Sequence, residues 1–290
     1  MDEKLNNDNL HSAAVRDHRR NYFNFLYVYP VISRRSRGLS VGINLNPDKI
    51  CNFDCIYCEV DRINPPRVRH LDAEVVRTEL EEMVRFIKNG GLSSDSRFAG
   101  SDRWEIKDFA FSGDGEPTMV PDFSRYVQIA ADVRKKENLT TTKIVLITNA
   151  AGLDKADVRR GLKIMDENNG EIWAKLDAGT EQYYKLVNRS NIQFSRILDN
   201  ILLTARERPI VIQSLFLKVH GQIMPQNELE EYCRRLNEIV SAGGKIKEVH
   251  AYTVARPTPE PYATKLNPDE LREIADKIRN HTGLTVYEFP

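Results

Sequence analysis

The sequence predicts an α/β protein whose strands form an open or closed barrel-like sheet of six strand–helix units, and three observations carry that expectation. Short β-rich runs alternate with amphipathic helical stretches, the order that a parallel sheet with crossover helices produces. No internal repeat, low-complexity tract or long Pro/Gly/Ser-rich linker interrupts the alternation. Polar and cysteine-bearing motifs fall where the expected strands end, which is where sheets of this kind gather their reactive groups.

In chain order, the first strand is expected at residues 39–45, running into a cysteine loop. Residues 72–88 read as a helix with Asp72 as N-cap, with Val76, Leu80, Met83, Val84 and Ile87 on one face and with Gly90 and Gly91 ending it. A strand at 106–111, a helix at 121–136 and a strand at 143–147 follow, then a helix marked by Val158, Leu162 and Met165. Residues 171–176 are the fourth strand, and Ile197, Ile201, Leu202 and Ala205 mark the helix after it. The fifth strand is expected at 210–219, followed by a helix carrying Leu229, Tyr232, Cys233, Leu236 and Val240; the sixth is expected at 246–254. The last helix opens with Asn267 as cap and Pro268 in its first turn, turns Leu271, Ile274 and Ile278 inward, and leaves 284–289 for a short terminal strand. Residues 94–101 read as a surface insertion.

Composition narrows the class. At 290 residues the chain can bury a large core without disulfides. Its 41% hydrophobic and 29% charged residues contain no run near the roughly 18–20 apolar residues of a membrane span, so no membrane association is expected. The acidic, polar start MDEKLNNDNL lacks the features of a secretory signal, and a cytoplasmic location with reduced thiols is the expectation. Lys+Arg and Asp+Glu balance at 42 each, so the field of a dedicated nucleic-acid binder is missing. Residues 1–38 are expected to be an N-terminal extension and 39–290 a single domain. In the extension, Arg16, Arg19, Arg20, Arg34, Arg35 and Arg37 interleave with Tyr22, Phe23, Phe25, Tyr27 and Tyr29. Solvated charge around an aromatic packing element is the plain reading, and recognition of an anionic substrate beside the reactive strand ends is the other.

Three of the four cysteines fall within eight residues, Cys51-Asn-Phe-Asp-Cys55-Ile-Tyr-Cys58. Such clustering in a cytosolic chain points to metal. Three thiolates can hold three irons of a four-iron cluster and leave the fourth open to an exogenous ligand. A zinc site completed by His70, His220 or His250 is the alternative, and it would suit a zinc-stabilised nucleic-acid-binding module. An iron–sulfur electron-transfer protein is another alternative and calls for a fourth ligand. Cys233 lies on an apolar helix face and reads as a buried small hydrophobe. The C-x3-C-x2-C spacing, with Tyr57 before the last cysteine, resembles the signature loop of the radical S-adenosylmethionine (radical SAM) superfamily. That resemblance implies a partial (β/α)6 TIM-like barrel with an N-terminal extension, a [4Fe–4S] cluster on Cys51, Cys55 and Cys58, and S-adenosylmethionine chelating the open iron. It further implies reductive cleavage to a 5′-deoxyadenosyl radical that abstracts hydrogen from a substrate, with an external one-electron donor such as flavodoxin or ferredoxin.

At the end of the second expected strand stands Ser112-Gly-Asp-Gly-Glu-Pro-Thr118, which looks like the superfamily's G-G-E-P element with Asp114 set between its glycines. Gly113 and Gly115 would let the backbone approach a ligand, and Glu116 offers an acceptor for an ammonium group. The resemblance implies that Ser112, Gly113, Asp114, Gly115 and Glu116 bind S-adenosylmethionine. It places Thr148, Asn149, Lys175 and Asp177 at the heights that contact its carboxylate and ribose, although capping and turn chemistry explains each of these singly. Gln213 or Ser214 within strand five can face the interior, and Tyr252 can stack on adenine. The run G-E-P-T with Trp173-Ala-Lys-Leu-Asp-Ala178 looks most like the branch that includes the wyosine-forming tRNA-modifying enzymes, which makes tRNA or another anionic molecule the expected substrate class. Arg256-Pro-Thr-Pro-Glu-Pro261 reads as a lid, a substrate wall or a plain connection.

Overall fold

The computed structural model describes residues 22–98 and 104–290. Arg16, Arg19 and Arg20 of the basic segment lie outside them. Among the described residues the order is β1 (Val28–Ser33), β2 (Gly38–Ile43), α1 (Ala73–Lys88), β3 (Ile106–Phe111), α2 (Phe123–Lys136), β4 (Lys143–Thr148), α3 (Ala156–Asp166), β5 (Gly170–Lys175), α4 (Glu181–Asn188), α5 (Phe194–Glu207), β6 (Ile210–Leu215), β7 (Lys218–Val219), α6 (Gln226–Ser241), β8 (Ile246–Tyr252), β9 (Ala263–Thr264), α7 (Pro268–Thr282) and β10 (Val286–Phe289). The described residues divide into two compact units, one drawn from 22–50, 62–98, 104–146 and 156–171, the other from 51–61, 147–155 and 172–290. The division falls inside β4 and inside β5.

In the first unit β2, β3 and β4 are parallel neighbours and β1 pairs antiparallel with β2. The expected apolar stripe of α1 is buried, and Asp72 caps the helix by accepting from the Glu74 and Val75 amides at 2.9 and 3.2 Å. β1 was not anticipated, because Pro30 breaks its pattern; at the sheet edge a missing N–H costs no ladder bond. Glu79, on the buried face of α1, holds the entry to β1: its carboxylate accepts from the Leu26, Tyr27 and Val28 amides at 2.7, 2.8 and 3.1 Å. The β1–β2 turn carries Arg34, Arg35 and Arg37. Ser33 pairs with Gly38 at that end of the hairpin, whereas Ile43, at the other end of β2, pairs with Phe111 and leads toward Ser112. The basic turn therefore stands at the strand N-terminal end, roughly 17–20 Å along β2 from the Ser112 turn, which fits the plain reading of solvated charge rather than a place beside the reactive strand ends. Of the surface insertion expected at 94–101, residues 94–98 are described; Ser94 and Ser96 are exposed, and Phe98 is buried.

In the second unit β5, β6, β8 and β10 run parallel in that order. β6 stops at Leu215, short of the expected 219: the Phe216 amide makes a last bond to β8 at the Tyr252 carbonyl, 2.8 Å, and Lys218–Val219 then turns away to pair with β9. α4 is a further unanticipated element. Its N-terminus is fixed by buried Glu228 of α6, which accepts from the Gly179 and Thr180 amides at 2.6 and 3.0 Å and from the Thr180 hydroxyl at 2.6 Å. α6 buries Cys233 as expected but exposes Val240. α7 begins with a complete capping box between Asn267 and Glu270.

Burial pushes the Glu79 carboxyl above the ordinary glutamate range, and its three amide partners pull it part of the way back. The folded chain thus binds this proton more tightly than the unfolded one, so ionising Glu79 removes stability as pH rises from the ordinary glutamate value through the raised one. Glu79→Ala should lower stability by about 3 kcal/mol by leaving buried amides without an acceptor. In urea unfolding, the advantage of the parent over Glu79→Gln should shrink across that pH window; a constant difference would sink the assignment.

Candidate metal and cofactor site

In the second unit the cysteine loop has no regular secondary structure, and its neighbours hold it. The last two carbonyls of α4 accept its backbone: the Asp54 amide donates to the Asn188 carbonyl at 3.1 Å and the Ile56 amide to the Val187 carbonyl at 3.0 Å. Asn52 is gripped twice, by the Asn149 Nδ2 at 2.6 Å on its side chain and by the Ser190 hydroxyl at 3.1 Å on its carbonyl. Ile56 and Tyr57 pack into an apolar cluster with Val187, Leu215, Leu217, Val254 and Ala263. The Tyr57 hydroxyl donates to Asp177 Oδ2.

Asp177 is the hub of this arrangement. Its buried carboxylate also accepts from Asn188 Nδ2 at 2.9 Å and from the Leu215 amide at 2.8 Å, with the Lys175 ammonium 3.6 Å away. Lys175 donates to the Tyr252 hydroxyl at 2.8 Å and lies over the Tyr57 ring, 4.9 Å from its centroid. Burial opposes the Lys175 charge, but Asp177, Tyr252 and Cys55 together outweigh it and raise its proton affinity. Burial drives the Tyr57 hydroxyl well above its ordinary range, with Asp177 adding to the effect. As a thiol, Cys55 is pushed up to about 12 by burial, with Lys175 pulling it down and Asp177 pushing it further up. A thiolate there is favoured by a cation bound to the sulfur, which is what a metal supplies. Cys51, Cys55 and Cys58 are half-buried and unbridged, a donor set that suits iron. Among the described residues no three His, Cys, Asp or Glu side chains converge to hold a single ion. Thiolates that each bind a different iron of a cubane need not converge in that way.

The other strand ends of this unit are also occupied. Thr148 accepts from the Ala150 amide at 3.0 Å and Asn149 from the Ala151 amide at 3.0 Å. On β6, Ser214 turns to the helix side, 2.6 Å from the Leu176 carbonyl and 2.6 Å from the Tyr232 hydroxyl, and by alternation Gln213 takes the opposite face. The Arg256–Pro261 stretch is tied to the flanks of the cysteine loop: Arg256 pairs with Glu59, and Arg189 joins Asp54 at 3.5 Å to Glu260 at 2.6 Å.

In the first unit the Ser112–Glu116 turn is set against Asn44. Asn44 Nδ2 donates to Asp114 at 2.7 Å, and its Oδ1 accepts from the Asp114 amide at 3.1 Å. Ser112 meets the Tyr29 hydroxyl at 3.3 Å. The glycines are required by the protein itself. A Cβ on Gly113 would lie 2.2 Å from Asn44 Oδ1, and one on Gly115 would lie 2.0 Å from the carbonyl of Ile50, the residue before Cys51. Buried Glu116 caps the turn that follows, accepting from the Thr118 amide at 3.1 Å and its hydroxyl at 2.6 Å. Beside these strand ends lies a cleft of about 710 Å³ whose wall includes Asn46, Arg69, His70, Arg125 and Tyr126. Sequence reasoning missed Asn44, Asn52 and Asn188. The signal for the first two was their place at a strand end and inside the cysteine loop; Asn188 had none.

Comparison with known proteins assigns the class. A family model described as the radical SAM superfamily matches residues 45–222, and the chain belongs to that superfamily. That superfamily in general uses S-adenosylmethionine, a [4Fe–4S] cluster and an electron donor. Relatives include a UPF0026 protein of Methanocaldococcus jannaschii, 30% identical over 60% of this chain and 46% of its own length, and a UPF0026 protein of Helicobacter pylori, 27% identical over 83% and 70%. A protein named GTPase Obg from Brachyspira hyodysenteriae is 25% identical over 84% of this chain and 32% of its own length. The chain thus spans under half of the first two relatives it matches, and it contains no G-x-x-x-x-G-K-S/T nucleotide loop. Among solved structures, Streptococcus suis SuiB bound to S-adenosylmethionine aligns with TM-score 0.58 at 12% identity over 86% of this chain and 50% of that one. TYW1 with a lysine–pyruvate adduct aligns with TM-score 0.57 at 16% identity over 92% and 87%. Both likenesses give the expected α/β fold, the partial TIM-like barrel. No helix among the described residues is long and apolar enough to cross a membrane.

Asp177→Ala should cost about 3–5 kcal/mol, because it strands a buried ammonium and three further donors. A thermal melt within error of the parent would show that the hub carries no such weight.

Proposed function

We propose that Cys51, Cys55 and Cys58 hold a [4Fe–4S] cluster with one open iron, and that the chain binds S-adenosylmethionine there. When bound, the cluster supplies the electron that cleaves S-adenosylmethionine to methionine and a 5′-deoxyadenosyl radical for hydrogen abstraction. The observation that carries this reading is the way three unbridged thiols are presented on a loop fastened by buried polar groups rather than by secondary structure.

In this reading Ser112, Gly113, Asp114, Gly115 and Glu116 receive the methionine amino group, while Thr148, Lys175, Gln213 and Tyr252 meet its carboxylate, ribose and adenine. Tyr57 lends its ring face to the cofactor, since its hydroxyl is committed to Asp177. Asp177 and Asn149 serve as positioning residues because their oxygens and nitrogens are engaged in holding the loop. A soluble one-electron donor of the flavodoxin or ferredoxin kind completes the system.

Anaerobically reconstituted protein should bind about four irons and release 5′-deoxyadenosine from S-adenosylmethionine after dithionite reduction. Any one of Cys51→Ala, Cys55→Ala and Cys58→Ala should abolish the cluster, and Cys233→Ala should keep it. A Cys55→Ala variant with full iron and brown absorbance would overturn the ligand set. Glu116→Ala and Gly113→Val should each weaken S-adenosylmethionine binding about tenfold with the iron count unchanged, by loss of a charge-assisted acceptor and by displacement of the turn from Asn44. Parental affinity in both would remove the turn from the site.

For the substrate, the reading extends to an anionic molecule, with tRNA the candidate to test. Arg69 and Arg125 line the cleft beside the strand ends, whereas Arg34, Arg35 and Arg37 stand at the strand N-terminal end. Bulk tRNA binding should weaken as salt rises, and the double change Arg69→Gln with Arg125→Gln should reduce the log–log slope by about 2, one phosphate contact each. An unchanged slope would take these residues out of substrate recognition.

A further inference from the structure

We infer that Asn188 is a positioning residue for electron transfer: its side-chain amide donates an N–H hydrogen bond to the sulfur of Cys55 and thereby raises the reduction potential of the cluster that Cys55 would hold. This rests on the cluster assignment proposed above. Asn188 Nδ2 lies 3.4 Å from Cys55 Sγ, 2.9 Å from Asp177 Oδ2 and 3.2 Å from the Tyr57 hydroxyl. The amide has one orientation that chemistry allows. Asp177 Oδ2 already receives the Tyr57 hydroxyl and lies 3.6 Å from the Lys175 ammonium, so it accepts, and the Asn188 atom facing it must be nitrogen rather than oxygen. Because the same nitrogen faces Cys55, the sulfur receives an N–H and not a carbonyl oxygen.

The donor is held in place. Asn188 is 2% exposed at the end of α4, and its own carbonyl accepts the Asp54 amide of the cysteine loop, so ligand and donor are joined through backbone as well as side chain. The Arg189 residue that follows is left-handed, φ 46°, which turns the chain away at once and leaves Asn188 as the terminal helical residue. In a site this buried, a hydrogen bond to a cysteine sulfur stabilises the more negative, reduced state of a cluster over the oxidised one, and bonds of this kind are one of the levers that set cluster potentials. The step is one electron in, with no bond made or broken at Asn188.

The test is a redox titration of the reconstituted cluster without S-adenosylmethionine, followed by electron paramagnetic resonance, in the parent, Asn188→Ala and Ser190→Ala. Ser190→Ala removes the hydroxyl that holds the Asn52 carbonyl of the same loop but leaves the N–H on sulfur, so it reports what loosening the loop does alone. Asn188→Ala should keep the parental iron count and shift the reduction equilibrium about tenfold toward the oxidised form, 59 mV downward for a one-electron couple, while Ser190→Ala stays near the parent. If Ala at 188 prevents folding, Asn188→Leu, close in size and without a donor, is measured in its place. An unshifted potential in the Asn188 variant, an equal shift in Ser190→Ala, or loss of the cluster from both Asn188 variants would each overturn the inference. Absence of iron from the parent would instead strike the cluster assignment, which separates the two failures.

Discussion

The cysteine loop depends on one buried carboxylate. Asp177 is drawn out of water at the end of β5, where an ionised group is tolerated only if donors surround it. It has them from four directions: a loop side chain in Tyr57, a helix terminus in Asn188, the backbone of β6 in Leu215, and the ammonium of Lys175. Each donor belongs to a different element, so satisfying the carboxylate fixes all of them together. A loop without regular secondary structure acquires a defined position in this way, which is what thiolates set in place ahead of a metal would require.

α4 shows how local rules and tertiary demand combine. A helix ends with carbonyls that have no partner inside it. Here the last two accept the amides of Asp54 and Ile56, so the helix terminus and the irregular loop each supply what the other lacks. At its other end the helix is capped by Thr180, whose own amide and hydroxyl are held by Glu228 on α6. The chain from α6 through α4 to the cysteines is therefore made of buried polar bonds, directional and intolerant of slippage, while the apolar packing of Ile56 and Tyr57 adds cohesion without direction.

Much of the fold was legible because periodicity reports burial. The apolar face of α1, the Asp72 cap, β3 and the Asn267 cap of α7 lie where the spacing placed them. The omissions share a cause. β1 carries a proline that only an edge position excuses, and α4 is eight residues long, too short for a helical stripe to stand out from its polar neighbours. The end of β6 was misjudged because apolar residues continue through Phe216 and Leu217 after the ladder has ended, and apolarity alone does not distinguish strand from buried connection. The cysteine spacing was legible as the superfamily's signature, but which side chains hold the loop was not: Asn52, Asn149 and Asn188 act through contacts 97 to 133 residues apart in sequence, or with a neighbour whose role only the fold reveals.

The glycines of the Ser112–Glu116 turn are required by the protein's own packing. Their lack of a side chain suggested room for a ligand, yet the space a Cβ would take is filled by Asn44 and by the Ile50 carbonyl. The turn is thus clamped to the strand end that leads into Cys51, and its polar atoms are aimed by that clamp before any ligand binds. Glu116 follows the same logic, since one of its oxygens is spent on Thr118, which limits the directions in which the carboxylate can face. Capping and binding are not competing explanations for such residues. A short polar side chain at a strand end has little stiffness of its own, and the capping bond supplies the orientation that recognition of an ammonium group would need.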